Sequence, residues 1–280
     1  MDLKKLNTLF HSTTKMSVLK SIIKNGFAVS YAKEKIGDRN LLIAMVSFSN
    51  IPILESRSQV NYGHYSIGLK RTWGICNKLH PVTYTYKNSE KEIFLSKLIQ
   101  DFALFQIAPE LSTMKLNTKL FFENFSVNYV NLYESILKLG NAKEIEKYFG
   151  EIFSDLNDLQ IYFKHYIDTN RKGKTVYCFN DREWRYVPNL VPKIIFEKDA
   201  SGQFEYDEYK KYSTMKKPHL PNLVLNFELS DIEFIMVKKN SEIQGVVNEL
   251  NRKFDKAKVQ GAIMSGELSL FSFEKIHNSI

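Results

Sequence analysis

The chain has 280 residues, 44% of them hydrophobic, with 20 Phe, 15 Tyr, a formal net charge of +8 and a pI near 9.2. That apolar content supplies a packed core and excludes intrinsic disorder, and the length allows one large domain or two ordinary ones. Two cysteines without CxxC spacing exclude a disulfide scaffold and a structural zinc site, and no run of about eighteen apolar residues marks a membrane span.

Taken in chain order, an apolar stretch ends at Leu9–Phe10, and a helix is predicted from about Lys15 to Lys24. Thr13 or Thr14 is its N-cap candidate, and Val18, Leu19, Ile22 and Ile23 recur at helical spacing. Asn25–Gly26 supplies a left-handed stop with Phe27 folding back onto the helix. Strands are predicted at Leu42–Phe48, Tyr65–Leu69 and Val82–Tyr86, between turn signals at Asn50–Pro52, Asn61–Gly63 and His80–Pro81. From Ser89, a capping box with Glu92 opens a helix striped by Ile93, Phe94, Leu98, Phe102 and Phe105. Further helices are predicted over Met114–Leu139 and Lys143–Ile167, parted by Gly140–Asn141.

Strand character returns at Thr175–Phe179, Glu183–Val187, Leu223–Phe227 and Phe234–Val237. Between them, Asp199–Pro221 is polar and lysine-rich and reads as an exposed excursion. Ser241 and Gln244 open a last helix with Ile243, Val247, Leu250 and Phe254 inward, and Leu268–Phe273 adds an edge strand. The expectation is one α+β domain over 1–280, in which β-rich ends (1–87 and 170–280) join into one sheet and 88–169 is a helical insertion. Both cysteines, Cys76 and Cys178, have apolar neighbours and read as small buried hydrophobes in a reducing compartment. With no secretory signal at the start, a cytoplasmic location is expected.

Three constellations carry chemistry. Phe10-His11-Ser12-Thr13 sets an imidazole and two hydroxyls at a strand end before a helix, a cradle for a ribose, an amide or a phosphate, or simply a helix cap. Tyr62-Gly63-His64-Tyr65-Ser66-Ile67-Gly68 offers an aromatic platform for a planar ring, with Gly68 inviting a close approach, or an ordinary hairpin. Glu183-Trp184-Arg185-Tyr186 alternates on a strand, so Glu183 and Arg185 share one face. That carboxylate could stabilise an oxocarbenium ion, or it could form a cross-strand pair with the arginine. Lys210–Lys211 and Lys216–Lys217, interleaved with Tyr209, Tyr212 and His219, could follow a nucleic-acid backbone or form a solvated surface. Dinucleotide, P-loop, nucleophile-elbow and HExxH motifs are absent from the sequence, and no metal site is expected.

Phe10-His11-Ser12-Thr13 followed by Leu19-Lys20-Ser21-Ile22-Ile23-Lys24-Asn25-Gly26-Phe27 resembles the opening of many ADP-ribosyltransferase-like proteins, DarT among them. Met45–Pro52, Tyr65–Leu69 with Trp73-Gly74-Ile75, and Glu183–Pro188 resemble more closely the AbiGi family of abortive-infection proteins, antitoxin-like members of a two-gene phage-resistance system. The resemblance implies an ADP-ribosyltransferase-like mixed or antiparallel β core with a large helical insertion. It implies an NAD site in which His11 grips the nicotinamide ribose, Tyr65 stacks on the nicotinamide and Glu183 stabilises the charged transition state. Ser12, Thr13, Gly68 and Arg185 would complete the cofactor pocket. The target of transfer would be nucleic acid or protein. A non-enzymatic alternative is a binding partner of a nucleotidyltransferase-like toxin.

Overall fold

A computed structural model describes residues 7–36, 39–52, 63–98, 142–169, 175–189, 192–198, 205–215 and 219–278. In chain order these form β1 (Thr8–Thr13), α1 (Met16–Asn25), β2 (Phe27–Ile36), β3 (Arg39–Ser49), β4 (Tyr65–Lys70), α2 (Arg71–Cys76), β5 (His80–Pro81) and β6 (Thr83–Thr85). Helix α3 (90–98) follows. Then come α4 (Ala142–Gln160), β7 (Phe163–His165), β8 (Ile167–Thr169), β9 (Thr175–Tyr177), β10 (Glu183–Tyr186), β11 (Ile194–Phe196) and α5 (Asp207–Thr214). The chain closes with β12 (His219–Leu225), β13 (Ile232–Val237), α6 (Ile243–Lys253), α7 (Lys256–Ser265), β14 (Ser269–Ser272) and α8 (Phe273–Asn278).

Strands from both ends of the chain enter one ten-stranded sheet, ordered β12-β2-β3-β1-β4-β13-β14, with β10 and β11 on β3 and β5 on β10. The ladders are antiparallel except β13–β14, so the sheet is mixed and the class is α+β. Alternation along the strands then defines two faces. On one, Leu9, Leu42, Ala44, Val46, Phe48, Ile67 and Leu69 pack against Leu19, Ile22 and Ile23 of α1, Trp73 of α2 and Val246 and Leu250 of α6. The other carries two apolar patches, Leu41, Ile43, Met45 and Ile161 in one, and Phe10, Ile51, Phe234 and Met236 in the other. Helices α1, α2 and α6 bury apolar side chains on the first face, where the hydrophobic gain offsets the entropy of ordering, while Phe273 and Ile276 of α8 pack on the second.

The elements depart from expectation where tertiary pairing overrides local pattern. The helix expected to run to Ile167 stops at Gln160, because Phe163–His165 forms a parallel ladder with Thr83–Thr85. Strand β2 goes unannounced in the sequence, since Lys33-Glu34-Lys35 interrupts the inward row of Phe27, Val29 and Tyr31. α1 begins after Lys15 with no side-chain cap, because Thr13 is the last residue of β1. In α3, Glu92 and Leu95 are buried whereas Ile93 and Phe94 are exposed, so the expected stripe is out of phase. The Ser89 hydroxyl does accept the Glu92 N–H (3.3 Å), and the Glu92 carboxylate accepts the Asn88 N–H (2.6 Å) and meets the His165 ring. Cys178 is buried and Cys76 exposed. The helix expected over Met114–Leu139, with Phe102, Phe105 and Tyr62, lies outside the described residues.

Gly68 is explained by this packing. A Cβ built there would stand 2.2 Å from the Phe234 ring, so what lies against this glycine is a neighbouring strand's side chain. Gly68→Ala should therefore destabilise the fold by about 1–3 kcal/mol in urea unfolding, through overpacking. Pairing it with Phe234→Leu should recover part of that loss, whereas strict additivity would show that Phe234 is not the obstacle.

Candidate functional site

Among the described residues, a group of buried charges lies on the second face, between its two apolar patches. Strand β10 pairs with the end of β3, placing Glu183 opposite Ser49 and Arg185 opposite Ser47. Alternation then sends Trp184 and Tyr186 to the helical face and Glu183 and Arg185 to the other. Both charged residues are buried, Arg185 completely. Glu183 Oε1 accepts from Arg185 Nε (2.7 Å) and from the Ser47 hydroxyl (3.0 Å), while Oε2 accepts from Lys164 Nζ (2.7 Å). Arg185 also donates to the Ile161 carbonyl, and its Nη2 lies 3.2 Å from Glu34, close but not aligned as a hydrogen bond. Lys164 stands 3.9 Å from the same Glu34 carboxylate. Two cations thus face two carboxylates drawn from β2, β7 and β10. Tyr84 completes the surroundings by accepting the Glu183 backbone N–H (2.8 Å).

Burial alone would push the Glu183 carboxyl up, but the charges of Arg185 and Lys164 outweigh it and hold the carboxyl down at about 2. For Lys164, desolvation opposes the ammonium, and Glu34 and Glu183 reverse it, raising its affinity for the proton. Desolvation raises the Tyr84 phenol and pushes the Cys178 thiol up to about 11, so neither is an ionised nucleophile at neutral pH. The arrangement is a closed, internally neutral ion network.

His11 and Tyr65 belong to the opposite face. In the β1–β4 ladder His11 sits beside Ile67 and Thr13 beside Tyr65, all on the helical side. The His11 ring is wedged edge-on against Phe27 and Phe48, 5.4 and 5.8 Å between centroids. Its Nδ1 lies 2.9 Å from the Ser47 carbonyl, which can only accept, so the proton resides on Nδ1. Desolvation lowers the imidazole pKa, with the Ser47 bond opposing, and the ring is neutral. Tyr65 is buried with its hydroxyl donating to Glu242 (2.8 Å); burial and that bond push the phenol up to about 12. Ser12, on the other face, shares a hydrogen bond with Ser66 (2.8 Å).

The β-sheet therefore separates His11, Thr13 and Tyr65 from Glu183 and Arg185, and the expected shared hollow is not formed. NAD does not fit these residues as a single site. The imidazole is held among phenylalanines, the phenol is bonded to Glu242, Gly68 is filled by Phe234, and both oxygens of the Glu183 carboxylate already accept from protein donors. Sequence reasoning paired Glu183 with Arg185 correctly but missed Lys164, Glu34, Ser47 and Tyr84. Their separation along the chain left no local signal, except that Lys33-Glu34-Lys35 set an acid between two bases in an otherwise strand-like run. In the lysine-rich stretch, Lys216–Lys217 lie outside the described residues. Tyr209 is buried and Tyr212 lies 4.7 Å from Tyr31, so the interleaved rings serve packing, and Asp207 and Glu208 balance Lys210 and Lys211 within α5. Among the described residues there is no group of three or more potential metal ligands, and no helix is long and apolar enough to cross a membrane.

The family of abortive phage resistance proteins named AbiGi, described as antitoxin, matches residues 17–238. The abortive phage resistance protein AbiGi of Lactococcus lactis subsp. cremoris is 27% identical over 241 residues, covering 79% of this chain and 82% of its own. No solved structure matches.

Removing one member of the ion network strands its partners. Arg185→Leu should cost about 3–5 kcal/mol in denaturant unfolding, because Glu183 and Glu34 would then share Lys164 alone. The pH dependence follows from the depressed Glu183 carboxyl. Its contribution is complete above the ordinary value of 4.5 and is lost as pH falls toward about 2. The urea midpoint should drop across that window in the parent chain and fall less steeply in Glu183→Gln; identical acid limbs would show that another carboxyl is responsible.

Proposed function

Since the chain belongs to the AbiGi family of abortive phage resistance proteins, we propose that it serves anti-phage defence as a non-enzymatic antitoxin, binding and restraining a toxin of nucleotidyltransferase type. The observation that carries this reading is the state of Glu183. A carboxylate that assists glycosidic cleavage must present an oxygen to the substrate as positive charge develops. In this chain Oε1 already receives Arg185 and Ser47, and Oε2 receives Lys164. To expose it would break charge-assisted bonds in a buried setting. Those residues support a scaffold role, in which the old chemistry-bearing positions stabilise a binding surface.

The competing reading is ADP-ribose transfer from NAD to nucleic acid or protein by Glu183, His11 and Tyr65 on an ADP-ribosyltransferase-like fold. It requires these three groups to meet, and the sheet lies between them. One set of assays separates the two. Co-expression with a nucleotidyltransferase-type protein encoded beside this gene should relieve its toxicity, and the two chains should co-purify. The purified chain should release no nicotinamide from NAD and should show no thermal shift with it. Nicotinamide release that disappears in Glu183→Gln would overturn the proposal in favour of the enzyme.

A further inference from the structure

Between Asp2 and Glu34 the chain carries six lysines and no acid, on a protein whose net charge is +8. Three of them, Lys15, Lys20 and Lys24, stand at the head of α1 and along it. Leu19, Ile22 and Ile23 point into the core, so the helical repeat turns Ser17, Lys20, Ser21 and Lys24 outward as one stripe. Among the described residues, none of these lysines is in an ion pair.

Helix α6 runs beside α1. The Lys20 ammonium comes within 3.3 Å of where a Gly245 Cβ would stand, so this lysine lies across the start of α6. At the other end both helices meet the same connection, with Gly26 against Val224 and Lys253 over the Phe227 ring at 4.2 Å. Val246 and Leu250 are buried, which leaves Gln244, Asn248 and Arg252 as a second outward stripe alongside the first.

Neighbouring acids do not cancel this charge. Residues 15–25 and 226–258 together hold nine cations and six acids. Glu274, which reaches the same end of the layer by accepting the Asn240 N–H, has Lys275 next to it. Within the two helices the single acid is Glu249, buried and bonded to Arg252 (2.9 Å).

The side chains missing from this surface decide what it can hold. Among the described residues, none of the exposed large hydrophobic side chains lies on α1 or α6. A protein contact is anchored by aromatic or aliphatic groups at its centre, and a helix lying on lipid inserts apolar side chains. Single strands are gripped by rings on which bases stack. Ammonium, guanidinium, hydroxyl and amide groups without rings are the donors that phosphates and groove edges accept from. Helices packed side by side stand about 8–10 Å apart, comparable with the major groove's width of about 12 Å, so two such rows reach phosphates on both strands. We propose that the paired outer faces of α1 and α6 form a docking surface for double-stranded nucleic acid, held through its phosphates. The surface is separate from the ion network, and the proposal holds or fails independently of the antitoxin reading.

The test is fluorescence anisotropy of short labelled duplexes, DNA and RNA in parallel, titrated with the full chain at graded salt. The parent should bind with a steep salt dependence. Lys15→Gln/Lys20→Gln/Lys24→Gln should lower the slope of log affinity against log salt by about 3, one contact per lysine, whatever the sequence. Lys70→Gln/Lys210→Gln/Lys211→Gln removes the same charge elsewhere and should keep the parent slope. A parent preference for one duplex would support the surface and name the backbone it takes. Lys24→Gln alone, expected to lower the slope by about 1, decides the matter should the triple variant lose its cooperative unfolding transition. Absence of duplex binding at low salt, an equal loss in both triple variants, or retention of single strands or anionic phospholipid vesicles in preference to duplex would overturn the proposal.

Discussion

The carboxylate of Glu183 can be buried in this fold only because two cations and a hydroxyl reach it. An isolated buried carboxylate would be far costlier than any single packing interaction, so β10 can lie on β3 only when β7 brings Lys164 and β2 brings Glu34 to balance Arg185. That requirement ties together strands distant along the chain. It also explains why the second face of the sheet is not one continuous apolar surface but two patches with charge between them. Such a network adds little net stability over a hydrophobic replacement. Its effect is on which pairing is allowed, since a slip of β10 by one residue would turn Glu183 and Arg185 into the aromatic face.

On the helical face the constraint is steric. Phe27, Phe48, Trp73 and Phe227 meet at tilted or edge-on angles around His11, whose Nδ1–H satisfies the Ser47 carbonyl beside the single residue pair that joins β1 to β3. A neutral imidazole serves that place because it brings a donor into an otherwise apolar cluster without a charge. The two faces therefore divide the labour. One holds helices through hydrophobic burial, and the other holds the returning strands through paired charge.

Much of the fold was legible along the chain. The helix ending at Gly26, the strands expected at Leu42–Phe48, Tyr65–Leu69, Glu183–Val187 and Phe234–Val237, which fall on β3, β4, β10 and β13, and the edge strand before the C-terminus follow from periodicity and turn chemistry. So did the shared face of Glu183 and Arg185, because alternation is a property of any strand. Elements whose pattern conflicted with their place were not legible. Strand β2 hides a charge that becomes buried, and β7 follows a helix without a break signal because its identity is set by β6.

Residue order by itself determined which side chains share a face, since the two-residue repeat of a strand and the 3.6-residue repeat of a helix are local. It determined the family as well, through short runs that need no spatial context. Which strand lies beside which, and hence on which side of the sheet His11, Tyr65 and Glu183 emerge, was decided by the tertiary structure alone. The physical reason is that a ladder's register depends on burial and charge balance summed over segments more than a hundred residues apart, and no local pattern records that sum.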